Sequence, residues 1–134
     1  MTAKDMYEVA GTGTGGAPSA NGTAATSSKL NYPYGLAVDS SGNLYIADTQ
    51  ANYVVMVPDT VGAATGTVAG AYFGISMRVG DMYEVVGTGN AGAPTTGGLG
   101  TASDLDSPNG VAVGSSGNLY IVDTSNERVE KLVP

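Results

Sequence analysis

The chain has no cysteine, no histidine and no tryptophan, and Phe73 is its only phenylalanine. Without cysteine there is neither a disulfide framework nor a thiol nucleophile. Without histidine, Ser-His-Asp and Cys-His catalysis and histidine-ligated zinc or iron sites are excluded. Positive charge is scarce: five bases (Lys4, Lys29, Arg78, Arg128, Lys131) stand against twelve acids, and the net charge is −7. Nucleic-acid affinity comes mainly from Lys and Arg displacing phosphate counterions, so this balance argues against a nucleic-acid partner. Long apolar runs are missing too. A bilayer span needs about 20 consecutive apolar residues, which implies no membrane partner. The start, MTAKDMYEVAG, lacks the apolar stretch of a signal peptide.

Glycine is abundant. Twenty-one glycines separate short runs of Val, Ile, Leu and Tyr in 134 residues, the pattern of many short strands joined by turns. The strongest signal is an internal repeat. Met1 to Gly13 (MTAKDMYEVAGTG) returns as Met77 to Gly89 (MRVGDMYEVVGTG), an offset of 76. Gly35 to Thr49 (GLAVDSSGNLYIADT) returns as Gly110 to Thr124 (GVAVGSSGNLYIVDT), an offset of 75. One residue is lost between them, in the glycine-rich stretch after Pro94, where a loop tolerates it.

Each copy predicts four strands. In the first they are 5–10, 34–39, 43–48 and 53–57, the last closed by Pro58. The turn at Gly42-Asn43 is short enough for a hairpin, and its residues tolerate positive φ. Repeated four-stranded meanders predict propeller blades.

The segment Pro33 to Thr49 (PYGLAVDSSGNLYIADT) closely resembles the NHL repeat. The second copy matches further, through Pro108, Gly110, Val111, Gly117, Asn118, Leu119, Tyr120, Asp123, Asn126, Arg128 and Val129. The first copy departs at Tyr53, where the family places arginine, and the second at Gly114, where it places aspartate. The resemblance implies an all-β fold: a β-propeller with two four-stranded blades per chain. The organisation is a first repeat (1–58), a linker (59–76) and a second repeat (77–134).

Naming the strands A (34–39), B (43–48), C (53–57) and D (81–86), the order is D-A-B-C-linker-D-A-B-C. The first D has no preceding A-B-C, and the last A-B-C has no following D. One chain can therefore complete the blade of another, which removes exposed sheet edges. NHL propellers usually have six blades, so the expected assembly is a homotrimer with heterologous, cyclic contacts. A piece of a longer array is the alternative. Meandering strands put the B–C turns and the long D–A loops (11–31 and 87–107) on one side of the disc. The linker is expected on the opposite side or along the outer edge.

The candidate ligand residues lie on the D–A side: Tyr32, Tyr34, Asp48, Asn52, Asp123 and Asn126. Asp48 and Asp123 end the B strands, and as a ring of carboxylates they would suit a cation. As structural groups they would accept hydrogen bonds from the B–C turn, with Thr49 or Thr124 assisting; this is the favoured reading. Tyr32 and Tyr34 flank Pro33 where the second copy has Ser107 and Asn109; they suit stacking on a sugar or peptide, or packing on the glycine-rich loop. Asp104-Leu-Asp106 has the carboxylate spacing of calcium loops but not the full ligand pattern. No metal and no cofactor is expected. The expected function is a non-enzymatic ring that binds glycan or protein. The alternatives are a purely structural or engineered self-assembling propeller and, behind it, a carboxylate-dependent glycan-active enzyme.

Overall fold

The computed structural model describes residues 4–59 and 68–134. Among these residues ten strands run in order: β1 (Thr23–Ala24), β2 (Pro33–Val38), β3 (Leu44–Asp48), β4 (Tyr53–Val57), β5 (Val68–Tyr72), β6 (Ile75–Arg78), β7 (Asp81–Val86), β8 (Pro108–Val113), β9 (Leu119–Asp123) and β10 (Arg128–Leu132). The first blade is the antiparallel sheet β2-β3-β4-β7, with β1 added outside β7. The second is the three-stranded sheet β8-β9-β10. Strands A, B, C and D thus lie within one residue of their expected places.

The register follows the alternation of the sequence. Leu36 pairs with Ile46, Ile46 with Val55, and Val55 with Glu84. The B–C turns are single 3-10 turns closed by a left-handed residue, Asn52 (φ 58°) in the first blade and Glu127 (φ 54°) in the second. The end of β7 crosses the B–C turn so closely that a Cβ on Gly87 (φ +108°) would lie 2.2 Å from the Asn52 carbonyl oxygen. Glycine is required there both for conformation and for space.

Three features differ from the sequence expectation. Residues 5–10 form no strand. Their repeat mates in β7 pair with β4, so the C strand of the first copy is already taken, and an isolated segment is not stable as a strand. The first D–A loop is not wholly irregular, because β1 lines the outer edge of β7 and the Ala25 N–H donates to the Gly80 carbonyl at 2.9 Å. The linker holds a hairpin, β5–β6, turned at Phe73 (φ 51°) and Gly74 (φ 78°). Its Tyr72, Phe73 and Ile75 pack on the core and contribute apolar burial that the sequence pattern did not suggest.

The core has two layers. Between the blades lie Tyr45, Val54, Met56, Tyr83 and Val85 from the first, against Leu105, Leu119 and Ile121 from the second, with Val111 and Val113 half-buried beside them. Strands β2 and β8 lie side by side there, and a Cβ on Gly35 would sit 2.6 Å from the Asn109 carbonyl oxygen. The other layer is on the far face of the first blade, where Ile46, Val55, Val57 and Met82 are covered by Ala25 and Leu30 of the D–A loop. Fully burying a side chain such as Met56 stabilises the fold by about 1.5–3 kcal/mol.

Repeat mates do not share these surroundings. Val111 and Val113 join the layer between the blades, while their counterparts Leu36 (68% exposed) and Val38 face solvent. Conversely, Tyr45 and Val54 are buried, while Tyr120 and Val129 (67% exposed) are open. Each blade therefore lacks the neighbour that the other one has.

Candidate functional site

On the D–A side, the two B-strand aspartates are fully buried. Oδ1 of Asp48 accepts the Asn31 N–H at 2.6 Å, and Oδ1 of Asp123 accepts the Asp106 N–H at 2.7 Å. The carbonyls of Asn31 and Asp106 accept in turn from the N–H groups of Gln50 and Ser125, at 3.0 Å each. The same carboxylate latch thus holds the D–A loop to the B–C turn in both copies. Its main donor comes from the D–A loop and not from the B–C turn, because strand B ends directly beneath the loop backbone that leads into strand A.

The latches differ at one side chain. Asn126 donates through Nδ2 to Asp123 Oδ2 and to the Gly92 carbonyl, both at 2.7 Å. Its mate is Ala51, which offers no donor, and Asp48 Oδ2 and Thr49 Oγ1 are buried without a hydrogen-bond partner among the described residues. Burial pushes the Asp48 carboxyl up to about 6, although the Asn31 N–H pulls the other way.

Asn52 reaches across the blades, and its Oδ1 accepts the Ser107 N–H at 2.9 Å. Ser107 (φ 53°) and its mate Tyr32 (φ 55°) share a left-handed backbone. Tyr32 and Tyr34 are 70% and 81% exposed. Tyr32 borders a shallow depression of about 410 Å³ with Leu30, Pro33 and the glycine-rich segment 10–15, whereas Tyr34 does not line it. Tyr34 lies instead on β2 with the exposed Leu36 and Val38. The two tyrosines are both open, but the structure does not join them in one pocket.

The paired acids of the second D–A loop are held apart by local bonds. Asp104 accepts from the Thr88 hydroxyl, and Asp106 accepts from the Ser107 hydroxyl at 3.1 Å. Among the described residues, no three acidic side chains converge in a way that would hold a metal ion.

Two concavities were not anticipated from the sequence. One, of about 520 Å³, lies on the A–B turn side, where Asp39, Ser40 and Ser41 meet Tyr45, Tyr72 and Phe73. Tyr45 and Phe73 meet edge to face with centroids 6.4 Å apart, and the Tyr45 hydroxyl donates to Asp39 at 3.3 Å. Burial first, and then the Asp39 charge, raise that phenol above its usual range. The second is a groove of about 960 Å³ running along β10. The hairpin borders both, and its only sequence signal was a glycine between two short apolar runs. A phenylalanine at positive φ hides such a turn from pattern reading.

Residues 105–132 match the NHL repeat, and residues 22–47 match a family described as a beta-propeller repeat. No curated protein sequence matches the chain. Among solved structures, it is similar to a structural genomics protein of unknown function from Bacteroides thetaiotaomicron VPI-5482, at 17% identity and a TM-score of 0.69 over 93% of this chain and 26% of that one. It is also similar to an auxiliary nutrient binding protein from the same organism, at 14% identity and a TM-score of 0.56 over 83% of this chain and 24% of that one. The chain therefore spans about a quarter of each, and at these identities the likeness is one of fold.

Proposed function

From a chain built of NHL and β-propeller repeat blades, and hence a partial propeller, we propose a non-enzymatic binding or scaffold module that closes into a ring with copies of itself. The exchange of exposure between repeat mates carries this reading. The open face of the first blade (Leu36, Val38) is the counterpart of a face already buried in the molecule, and the open face of the second (Tyr120, Val129) is the counterpart of its partner. Such faces complement one another head to tail, and a rotation that closes gives a ring. With the six blades usual for NHL propellers, three chains complete it. Light scattering at micromolar concentration should return three times the 13.3 kDa chain mass. A stable monomer overturns the reading.

A ligand of the ring, a glycan or a protein segment, would meet the D–A side. The exposed Tyr32 and Tyr34 are the contact residues, and Asn52 and Asn126 frame the loops around them. Asp48 and Asp123 act from beneath by holding those loops in place. Recurrence in every chain would give repeated weak sites with avidity toward a multivalent partner. The fold likeness to a solved nutrient binding protein agrees with a binding role. Replacing Tyr32, which borders the depression and lies off the face that the ring covers, by alanine should abolish binding on a glycan or peptide array while leaving the melting temperature nearly unchanged. A large loss of stability would favour the pure scaffold, a reading supported by the structural use already made of both aspartates.

A further inference from the structure

The groove along β10 has a wall whose repeat equivalent is already filled elsewhere in the molecule. Among the described residues, strand β10 pairs on one side only, with β9. Gly100, Ile121, Glu130 and Leu132 are among the groove's lining residues. Their mates, 75 positions earlier, are Ala25, Ile46, Val55 and Val57, and these four surround Met82 of β7. Met82 is buried; its own mate, 76 positions earlier, is Met6, which is 98% exposed. The groove thus repeats the slot of Met82 except at Glu130, which stands where Val55 does, and it lacks the methionine.

We infer that this groove seats residues 5–10 of a second copy of the chain, paired along β10, with Met6 as the side chain that fills it. This deepens the ring reading and rests on it. The segment belongs to a second copy because its own end is fixed elsewhere: the Gly11 N–H donates to the Ala25 carbonyl at 3.0 Å, and Ala10 packs on the face of the first blade that contains no residue of the second. Gly11 also keeps a φ of +98°, close to the +108° of Gly87. At Gly87 that conformation lets the end of the D strand pass the B–C turn, so residues 10–11 are shaped for a turn that is not beside them.

The pairing register follows from β4 and β7, where Val54 faces Val86, Val55 faces Glu84 and Met56 faces Tyr83. Transposed, Val129 faces Ala10, Glu130 faces Glu8 and Lys131 faces Tyr7. The central pair sets two carboxylates opposite each other, an arrangement that weakens a ladder. Neutralising one of them should therefore strengthen the assembly, an effect that general surface stickiness would not produce.

The absence of native cysteine makes a cross-linking test clean. Glu8→Cys with Glu130→Cys, oxidised in solution, should give disulfide-linked species up to three chain masses that collapse on reduction. Val9→Cys with Glu130→Cys, which places the thiols on opposite faces, should give little. In the otherwise native chain, Met6→Asp should weaken assembly at least tenfold, and Glu130→Gln should tighten it several-fold. A disulfide confined to single-chain mass would show that the segment folds back on its own chain and overturns the inference. A trimer that forms without the 8–130 cross-link would leave the ring standing and this seat refuted. A chain that stays monomeric throughout refutes both.

Discussion

The B strands of the two blades are nearly the same peptide, LYIAD in the first and LYIVD in the second, yet they live in different surroundings. In the first blade Tyr45, Ile46, Ala47 and Asp48 are all buried, whereas in the second burial alternates, and Tyr120 and Val122 are open. The first blade has a D strand on one edge, a covering loop on one face and the second blade on the other. The second blade has a neighbour on one face only. Burial here is a property of what stands beside a strand and not of the strand itself, and one sequence can serve as core and as surface in the same chain.

That contrast is broken most severely at Met56. This side chain is fully buried between the blades, and its mate is the exposed Lys131. Met56→Ala should cost about 2–5 kcal/mol by denaturant titration, against less than about 0.5 kcal/mol for Lys131→Ala at concentrations dilute enough to keep the chain monomeric. A comparable loss at Lys131 would show that the outer face of the second blade is covered in solution.

A smaller effect is expected at the A–B turns. Asp39 accepts from the backbone N–H groups of Ser41 and Asn43 and from the Asn43 side chain, at 2.9, 3.0 and 2.8 Å. Asp39→Ala leaves the fully buried Asn43 amide short of a partner and should cost about 1–3 kcal/mol. In the second blade Gly114 stands in that place. A Cβ there would lie 3.2 Å from the Tyr120 ring, which is partly exposed and has the Lys131 ammonium 5.9 Å from its centroid. Gly114→Asp should therefore raise stability by about 1 kcal/mol, checked by thermal melting. A fall would mean that the ring is held in place.

The smallest effect separates the two latches. Asp48 titrates at about 6 in the folded chain against an ordinary 3.8, so the folded state binds the proton more tightly. Its contribution to stability is then lost as pH rises from about 4 to 6 and is regained as pH falls through that window. Burial raises Glu84 as well, which adds a slope of the same sign. Asp48→Asn should flatten the dependence of the unfolding midpoint on pH. Ala51→Asn, which supplies the donor that Asn126 gives in the other copy, should also flatten it and add up to about 1 kcal/mol near neutral pH. An unchanged pH profile in both variants would show that Asp48 is not the group responsible.

The candidate site was less legible than the fold. The NHL-like core placed Asp48, Asp123, Asn52 and Asn126 on one side, but the donors that hold the aspartates come from Asn31 and Asp106, 17 residues away in the chain. No periodicity marks such a partner. The unpaired oxygen of Asp48 was visible only as an alanine in place of an asparagine, which carries meaning once the bond of Asn126 is known. Tyr32 and Tyr34 stood out as an asymmetry between the copies, yet the β-bulge between Pro33 and Gly35 sets them in different surroundings.

What the sequence determined by itself was the blade. Alternating apolar residues, the turn glycines and two offsets of repetition were enough to place strands A, B and C and the D strand at 81–86, and A–B and B–C pairing is local, so that each turn sets the next register. Only the tertiary structure decided which faces are covered, that residues 5–10 lie outside any sheet, and that the linker folds into a hairpin against the core. Those outcomes depend on contacts between segments far apart in the chain, and identical peptides carry no record of which neighbour they will meet.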